Sequence, residues 1–576
     1  MPINENLNEK VLSQTNLEIP RSRFQKTYET LTTFNPGYWF PVVCQEVLPG
    51  ENIKCDVKSL VRMLSPATPV MDQAFLDIAT FYVPCRLCTA EPGQFEKMMG
   101  AVGEPDAWTT TLGGSDLLSY EGNYTTFNTA AGPYAIQSMS LANYLGLPIN
   151  IAQTNPVNSV SMLPFKAVSR IWNEWLRDEN VCPSVDFTWE DYTYMTTPLS
   201  ELCIQGSFNY FMSARKLKDY FTSALPAPQK GAVTSLPFLT SAPVVTANSD
   251  STLNGKGRVP LQWINTSSGT LVNAGHLGVS SSGYNTTLDI TAMSGSQTSV
   301  APRNLIADLS NATGLTANDI RMVFGIQRLQ EKLARGGSRW NEYLHALYGV
   351  QVNPGLVNMS VYLGGFTVDV NTQEVVQTSA TSDVSPLGFP GAQSVNYGDH
   401  SFSAGFQEHG YVITLATVRV KQSYSQGIDP MWRRMHFHEF FQPTLSFIGE
   451  QPIYQEELFP TSGNARYTFD GQLNSSATIF GYKPAWEEYR KPKKLVTGNF
   501  APDAQDASLS VWTYTTYFAK QAPQLNGDFI RENSSNLLKT LVDTKTKTAF
   551  IGDFVILCDD YTPVPLNSYA GLIDHF

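Results

Sequence analysis

YWFPVVCQEVLPG, residues 38–50, is an apolar run of aromatic and β-branched residues halted at Pro49-Gly50. That composition suits a strand, and Pro-Gly is a turn signal. AFLDIATFYVP (74–84) repeats the pattern and stops at Pro84, so residues 38–83 read as strands separated by turns. GYVITLATVRVK (410–421) and VWTYTTYF (511–518) are further strand candidates. In the second, Trp512, Tyr514 and Phe518 share one face by the two-residue period. The runs are short and far apart, with no regular alternation of strand and helix. This favours a mainly β fold over a doubly wound parallel sheet.

Helices are few. In 164–180, Ile171, Trp172, Trp175 and Leu176 form one stripe. In 318–335, Met322, Ile326, Leu329 and Leu333 recur at helical spacing, and Gly336-Gly337 ends the helix with Arg335 in its last turn. A third stripe is Trp340, Tyr343, Leu344 and Leu347. All three are expected to face a core.

The chain has 576 residues, 39 Lys+Arg and 51 Asp+Glu, for a net charge of −12. Charged residues are 16% and aromatic residues 12%. So apolar a chain is not intrinsically disordered. Nor has it the bulk positive field of a protein that coats DNA. Low charge has two common causes, a large core or extensive surface buried in an assembly, and composition alone favours the first. The seven cysteines are odd in number and sparse, which does not read as a disulfide framework. MPINENLNEK lacks the basic start and apolar stretch of a secretion signal, and no run of apolar residues is long enough to span a bilayer. Folding in a reducing cytosol is the expectation.

Residues 231–302 stand apart, with 22 Ser/Thr and only four charges, Asp250, Lys256, Arg258 and Asp289. Apolar residues recur through it (Leu261, Trp263, Ile264, Leu271, Leu288, Ile290), so it reads as a structured, β-rich, polar insertion that contacts other proteins or sugars. The alternative is a decorative loop.

No nucleophile elbow, phosphate-binding glycine loop or zinc-protease motif occurs. Cys85-Arg86-Leu87-Cys88 has metal-ligand spacing but lacks a second pair. His436 and His438 would face one side of a strand, yet the carboxylate a cupin needs is absent, Gln442 and Pro443 standing there. A packed polar cluster near Phe437, Phe440 and Phe441 is the simpler reading. The sequence therefore names no catalytic residue, no metal site and no cofactor. Two basic clusters, Arg21, Arg23 and Lys26, and Arg490, Lys491, Lys493 and Lys494 after Trp486 and Tyr489, combine cations with aromatics. That combination suits single-stranded nucleic acid, although most such runs are solvated faces.

Several stretches in order resemble one family. SRFQKTYETLTTFNPGYWFPVVCQEVLPG (22–50), MDQAFLDIATFYVPCRL (71–87), WNEWLRDEN (172–180), DYFTSALPAPQKG (219–231), IQRLQEKLARGGSRWNEYLHALYGV (326–350), YLGG (362–365), GYKPAWEEYRKPKKLVTG (481–498) and GLIDHF (571–576) are similar to the major capsid proteins of small single-stranded DNA phages, the Microviridae, in their gokushovirus branch. The resemblance implies an eight-stranded antiparallel jelly roll with long insertions carrying a few helices. It implies one capsid protomer over 1–576 with a discontinuous jelly-roll core, an extended N-terminal arm over 1–30 and a surface protrusion over 231–302 near the threefold axes. It also implies a T=1 icosahedral shell of identical copies around circular single-stranded DNA, assembled in the cytoplasm of a host bacterium as part of a virion. Expected partners are the DNA, a small basic DNA-binding protein, a scaffolding protein and a bacterial receptor. Trp263, Asn265, His276 and Tyr284 are the receptor-facing candidates, and the two basic clusters are the DNA-facing ones. The rival reading is a carbohydrate-binding or adhesin-like β-sandwich protein, which would normally carry a secretion signal.

Overall fold

The computed structural model describes residues 21–89, 94–99, 117–121, 134–136, 138–148, 157–185, 212–231, short strands between 244 and 307, 317–337, 339–353, 358–376, 378, 390–467, 472–504, 508–519, 521–541 and 548–566. Two four-stranded antiparallel sheets form its centre. In chain order the strands are β1 (Ser22–Phe34), β2 (Phe40–Val47), β3 (Asn52–Met63), β4 (Ala74–Pro84), β5 (Val361–Val370), β6 (Asn396–Gly405), β7 (Gly410–Val420) and β8 (Phe550–Thr562). One sheet has the order β1-β8-β3-β6 and the other β5-β4-β7-β2. A single core of residues from both sheets lies between them, with Phe34, Ile53, Val57, Phe550 and Phe554 on one side and Leu76, Ile78, Val412 and Val418 on the other.

The two sheets read differently in sequence because they are covered differently. β3 and β8 alternate buried and exposed positions along their length, as a sheet wet on one face must. β4 and β7 are buried at nearly every position. A second core explains this: Phe81, Val83, Ile413 and Leu415 leave the outer face of that sheet and pack with Leu163, Phe165, Val168, Ile171 and Trp172. These last residues belong to helix α1 (Leu163–Ile171) and the π-helical turn Trp172–Leu176 that continues it. The stripe expected at 171–176 is therefore core, with Ile171 and Trp172 fully buried.

The other two helical stripes are not. Helix α2 (Ala317–Gly336) ends at the expected glycines, Gly337 taking a positive φ that a side chain would resist. Yet Met322, Ile326 and Leu329 are exposed. In helix α3 (Trp340–Tyr348), Trp340 is exposed and Tyr343, Leu344 and Leu347 are half-buried. Helical spacing reports that a face is apolar; it does not report what covers it.

The strand expected at 511–518 is also absent. Ser510–Trp512 is a 3₁₀ turn, and the segment beyond meets its neighbour through one isolated bridge, Tyr424 to Thr516. Its threonines explain the difference. Thr515 bonds Ser423 at 2.9 Å, and Thr516 donates to Gln422 at 3.0 Å, so side chains rather than a ladder satisfy the segment. β1 takes up residues 22–30 of the expected arm, pairing with β8 from Ser22–Thr562 to Phe34–Phe550. Cys55 and Cys558 face each other across β3 and β8 and form a disulfide, which the sparse cysteine spacing did not suggest.

By its contacts the chain divides into two compact units, Met1–Pro228 with Ala334–Phe576, and Gln229–Leu333. The second holds the Ser/Thr-rich segment. Its described parts are strands, among them Trp263–Asn265 paired on both sides by Leu271–Val272 and Val300–Pro302, and the hairpin Leu277–Ser282 with Asn285–Ile290. His276, Tyr284 and the side chains of Trp263 and Asn265 lie outside the described residues. Among the described residues, no helix is long and apolar enough to cross a membrane.

Candidate nucleic-acid interface

The cluster 490–494 sits in the insertion between β7 and β8, beyond the strand pair Glu450–Tyr454 and Ile479–Pro484. It borders a cavity of about 930 Å³. Lys491, Lys493 and Lys494 line it with Lys218 and Lys421, against Tyr220, Phe221, Tyr424 and Trp432. A third core, of Tyr220, Phe221, Ile453, Leu458, Phe480 and Phe529, holds the first two rings, with Tyr424 packed against it. Gly427 lets the chain pass close to the wall, since a side chain there would collide with the carbonyl of Glu457.

Each cation of the cluster already has a carboxylate. Arg490 and Lys491 share Glu487, at 2.9 and 2.8 Å. Burial opposes ionisation of Glu487, but the hydrogen bonds from Lys491 and Arg490 outweigh it and hold this carboxyl below its usual range. Lys493 bridges Glu457 at 3.2 Å and Asp429 at 3.6 Å, and Lys494 pairs with Asp72. Two ammonium groups approach the ring of Tyr220, Lys483 at 3.2 Å and Lys493 at 4.3 Å from its centre. Its hydroxyl donates to Glu457 at 2.9 Å. Glu457 is pushed up to about 7 by burial, against the pull of Lys493; Lys483 is brought down to about 7, also by burial.

These pairs sort the candidates. Arg490 and Lys491 are half-exposed and carry two positive charges against one Glu487, leaving an excess that faces solvent. Lys493 is mostly covered and serves the internal network. Arg21, just before β1, is exposed; on β1, Arg23 pairs with Asp559 at 2.8 Å, and Lys26 pairs with the buried Asp560 at 2.6 Å. Lys483, Tyr220 and Glu457 were missed in the sequence. They come from separate segments, and no local spacing joins them.

The cysteine and histidine motifs take other roles. Cys85–Leu87 is a 3₁₀ turn, and burial pushes the Cys85 thiol up to about 12 and raises Cys88 too. His436 and His438 stack in parallel, 5.6 Å between ring centres, around the 3₁₀ turn Phe437–Glu439 rather than on a strand.

Sequence comparison places this geometry among known proteins. The family model for "Capsid protein (F protein)" matches residues 13–572. "Capsid protein VP1" of Bdellovibrio phage phiMH2K is 32% identical over 556 residues, covering 96% of this chain and 95% of that protein. The protein of the same name from Spiroplasma virus 4 is 31% identical over 569 residues, and that of Chlamydia phage 1 is 29% identical over 594, each covering 96% of both chains.

Proposed function

The chain belongs to the capsid protein (F protein) family, and on that premise we propose that it is the major capsid protein of a small single-stranded DNA phage, whose copies close into a T=1 icosahedral shell around circular DNA. The observation that carries this reading is the strand order. Two four-stranded antiparallel sheets face each other over one core. From β1 to β4 and from β5 to β8 the chain alternates between them, and its long insertions fall between β4 and β5 and between β7 and β8. That alternation supports reading the fold as an eight-stranded jelly roll, a wedge with protected edges that tiles closed surfaces. Symmetry multiplies each contact between copies.

In this reading Arg490 and Lys491 meet the genome at the inner surface, and a small basic protein neutralises the DNA that an acidic shell leaves uncompensated. A scaffolding protein assists assembly in the host cytoplasm. The Ser/Thr-rich segment 231–302 forms a protrusion that meets the bacterial receptor. The test is electron microscopy and sedimentation of the protein expressed with its scaffolding partner. Closed isometric particles are expected; protomers alone under those conditions refute the shell. Deleting 231–302 is expected to abolish adsorption and leave particles, and normal adsorption by such particles removes the attachment role.

A further inference from the structure

Between Met431 and Ile448 the chain turns its apolar side chains outward. Phe447 is 93% exposed, Phe437 77% and Trp432 70%, and Phe440, Phe441 and Ile448 are each about half exposed. No exposed residue in this stretch is Lys, Arg, Asp or Glu. Large exposed apolar patches are rare on proteins that work alone.

The segment is not loose. Its charged side chains point inward and fasten it: Arg433 to the buried Glu456 at 3.1 Å, and Arg434 to Glu488 at 3.3 Å. Glu439, itself buried, accepts from the backbone N–H of Met435 at 2.6 Å and of His436 at 2.9 Å, and takes Arg466 at 2.5 Å. Trp486 supports the segment from below. Its indole donates to the carbonyl of Leu445 at 3.1 Å and meets Phe441 edge-on at 5.5 Å. Trp486 does this from a left-handed backbone conformation, φ 64°, that a bulky residue adopts only where its surroundings enforce it. The fold thus spends buried carboxylates and a strained backbone to hold an apolar face rigid and outward.

We propose that this face, centred on Phe437 and Phe447, is a contact between two copies of this chain, an inference that rests on the shell reading above. Two observations select a second copy. First, each copy carries −12, so copies meet most easily where neither presents charge; a nucleic acid would need cations, and no Lys or Arg occurs from Met435 to Ile448. Second, these six side chains, at about 150–250 Å² each and about half or more exposed, offer roughly 600–1,000 Å² of apolar surface, the scale of one side of a standard protein interface. Preorganisation also reduces the ordering that association requires.

The test uses the full chain in assembled particles. A benzophenone amino acid introduced at Phe437, and separately at Phe447, is irradiated in purified particles. A covalent dimer of this chain is expected. A cross-link to DNA or to another protein, or no cross-link, overturns the proposal while the particles themselves uphold the shell reading. Absence of particles in the unmodified protein removes both. Independently, Phe437→Glu with Phe447→Glu is expected to leave a folded protomer and to raise the concentration needed for assembly by roughly thirtyfold or more, the effect of an interface hot spot. Methionine oxidation gives a readout that needs no variant. Met435, exposed in the protomer, is expected to be protected in particles; equal oxidation in the two states overturns the proposal.

Discussion

Glu457→Gln tests whether the network beside the basic cluster is arranged as described. Glu457 is buried against Tyr220 and Lys493. Burial raises its carboxyl to about 7, above the ordinary 4.5. Between those values the folded protein holds a proton that the unfolded chain has released. Glu457 therefore contributes stability that is fully present below about 4.5 and is lost as pH rises through about 7. At about 1.4 kcal/mol for each tenfold change in proton affinity, the gap amounts to roughly 3 kcal/mol. Glutamine resembles the protonated acid and has no such slope. The variant should match the parent near pH 5 and exceed its stability near pH 7.5 by about 2–3 kcal/mol, or about 2–3 °C for a chain of this length unfolding as one unit. Two other groups titrate in the same pH range. Glu532, raised by burial, adds a slope of the same sign, but both proteins share it. Lys483, lowered by burial to about 7, changes stability in the opposite sense, mainly above pH 7. The assay is denaturant unfolding of protomers at pH 5, 6, 7 and 7.5. Parallel curves for parent and variant, with a constant offset, would refute the burial and protonation assigned to Glu457.

Cys558→Ser should lower the stability of protomers purified under oxidising conditions by about 2–5 kcal/mol, because Cys55–Cys558 closes a very long loop; peptide mapping without reductant should recover the 55–558 pair, and free thiols at both positions would remove the bond. Trp172→Ala should cost about 3–5 kcal/mol, since the indole is fully buried and donates to the carbonyl of Ser213; denaturant midpoints measure it, and a loss under about 1 kcal/mol would contradict the second core. Arg490→Gln with Lys491→Gln should reduce packaged DNA per particle without preventing assembly, read from the ratio of nucleic acid to protein absorbance. Unchanged DNA content would sink the genome-facing role of this pair.

Strand composition made one sheet legible and hid the other. β2, β4 and β7 lie in the sheet covered on both faces, so their sequences are continuous apolar runs. β1, β6 and β8 have one wet face or an edge position. SRFQKTYETLTTF and NYGDHSFSAG carry too many polar residues to be recognised by composition, although their partners fix them. The disulfide was invisible for a related reason. Cys55 and Cys558 become neighbours only when the last described strand inserts between β1 and β3. The basic cluster was legible as charge and aromatic rings; its neutralisation was not. Asp72, Asp429 and Glu457 come from three distant segments, and only the fold brings them to Lys493 and Lys494.

The low charge of the chain had two candidate causes, a large core and surface reserved for an assembly, and the structure contains the signature of each. Among the described residues of the larger unit lie three separate apolar cores. They account for Phe34, Trp172 and Tyr514 as buried rings. They do not account for Trp432, Phe437 and Phe447, which face outward. The same insertion that exposes these rings directs Arg433, Arg434 and Arg466 inward to Glu456, Glu488 and Glu439. An ordinary soluble surface has the reverse arrangement, charges outward and rings beneath. Inversion of that rule over one rigid segment separates the two causes: the buried rings serve the protomer, and the outward rings require a partner.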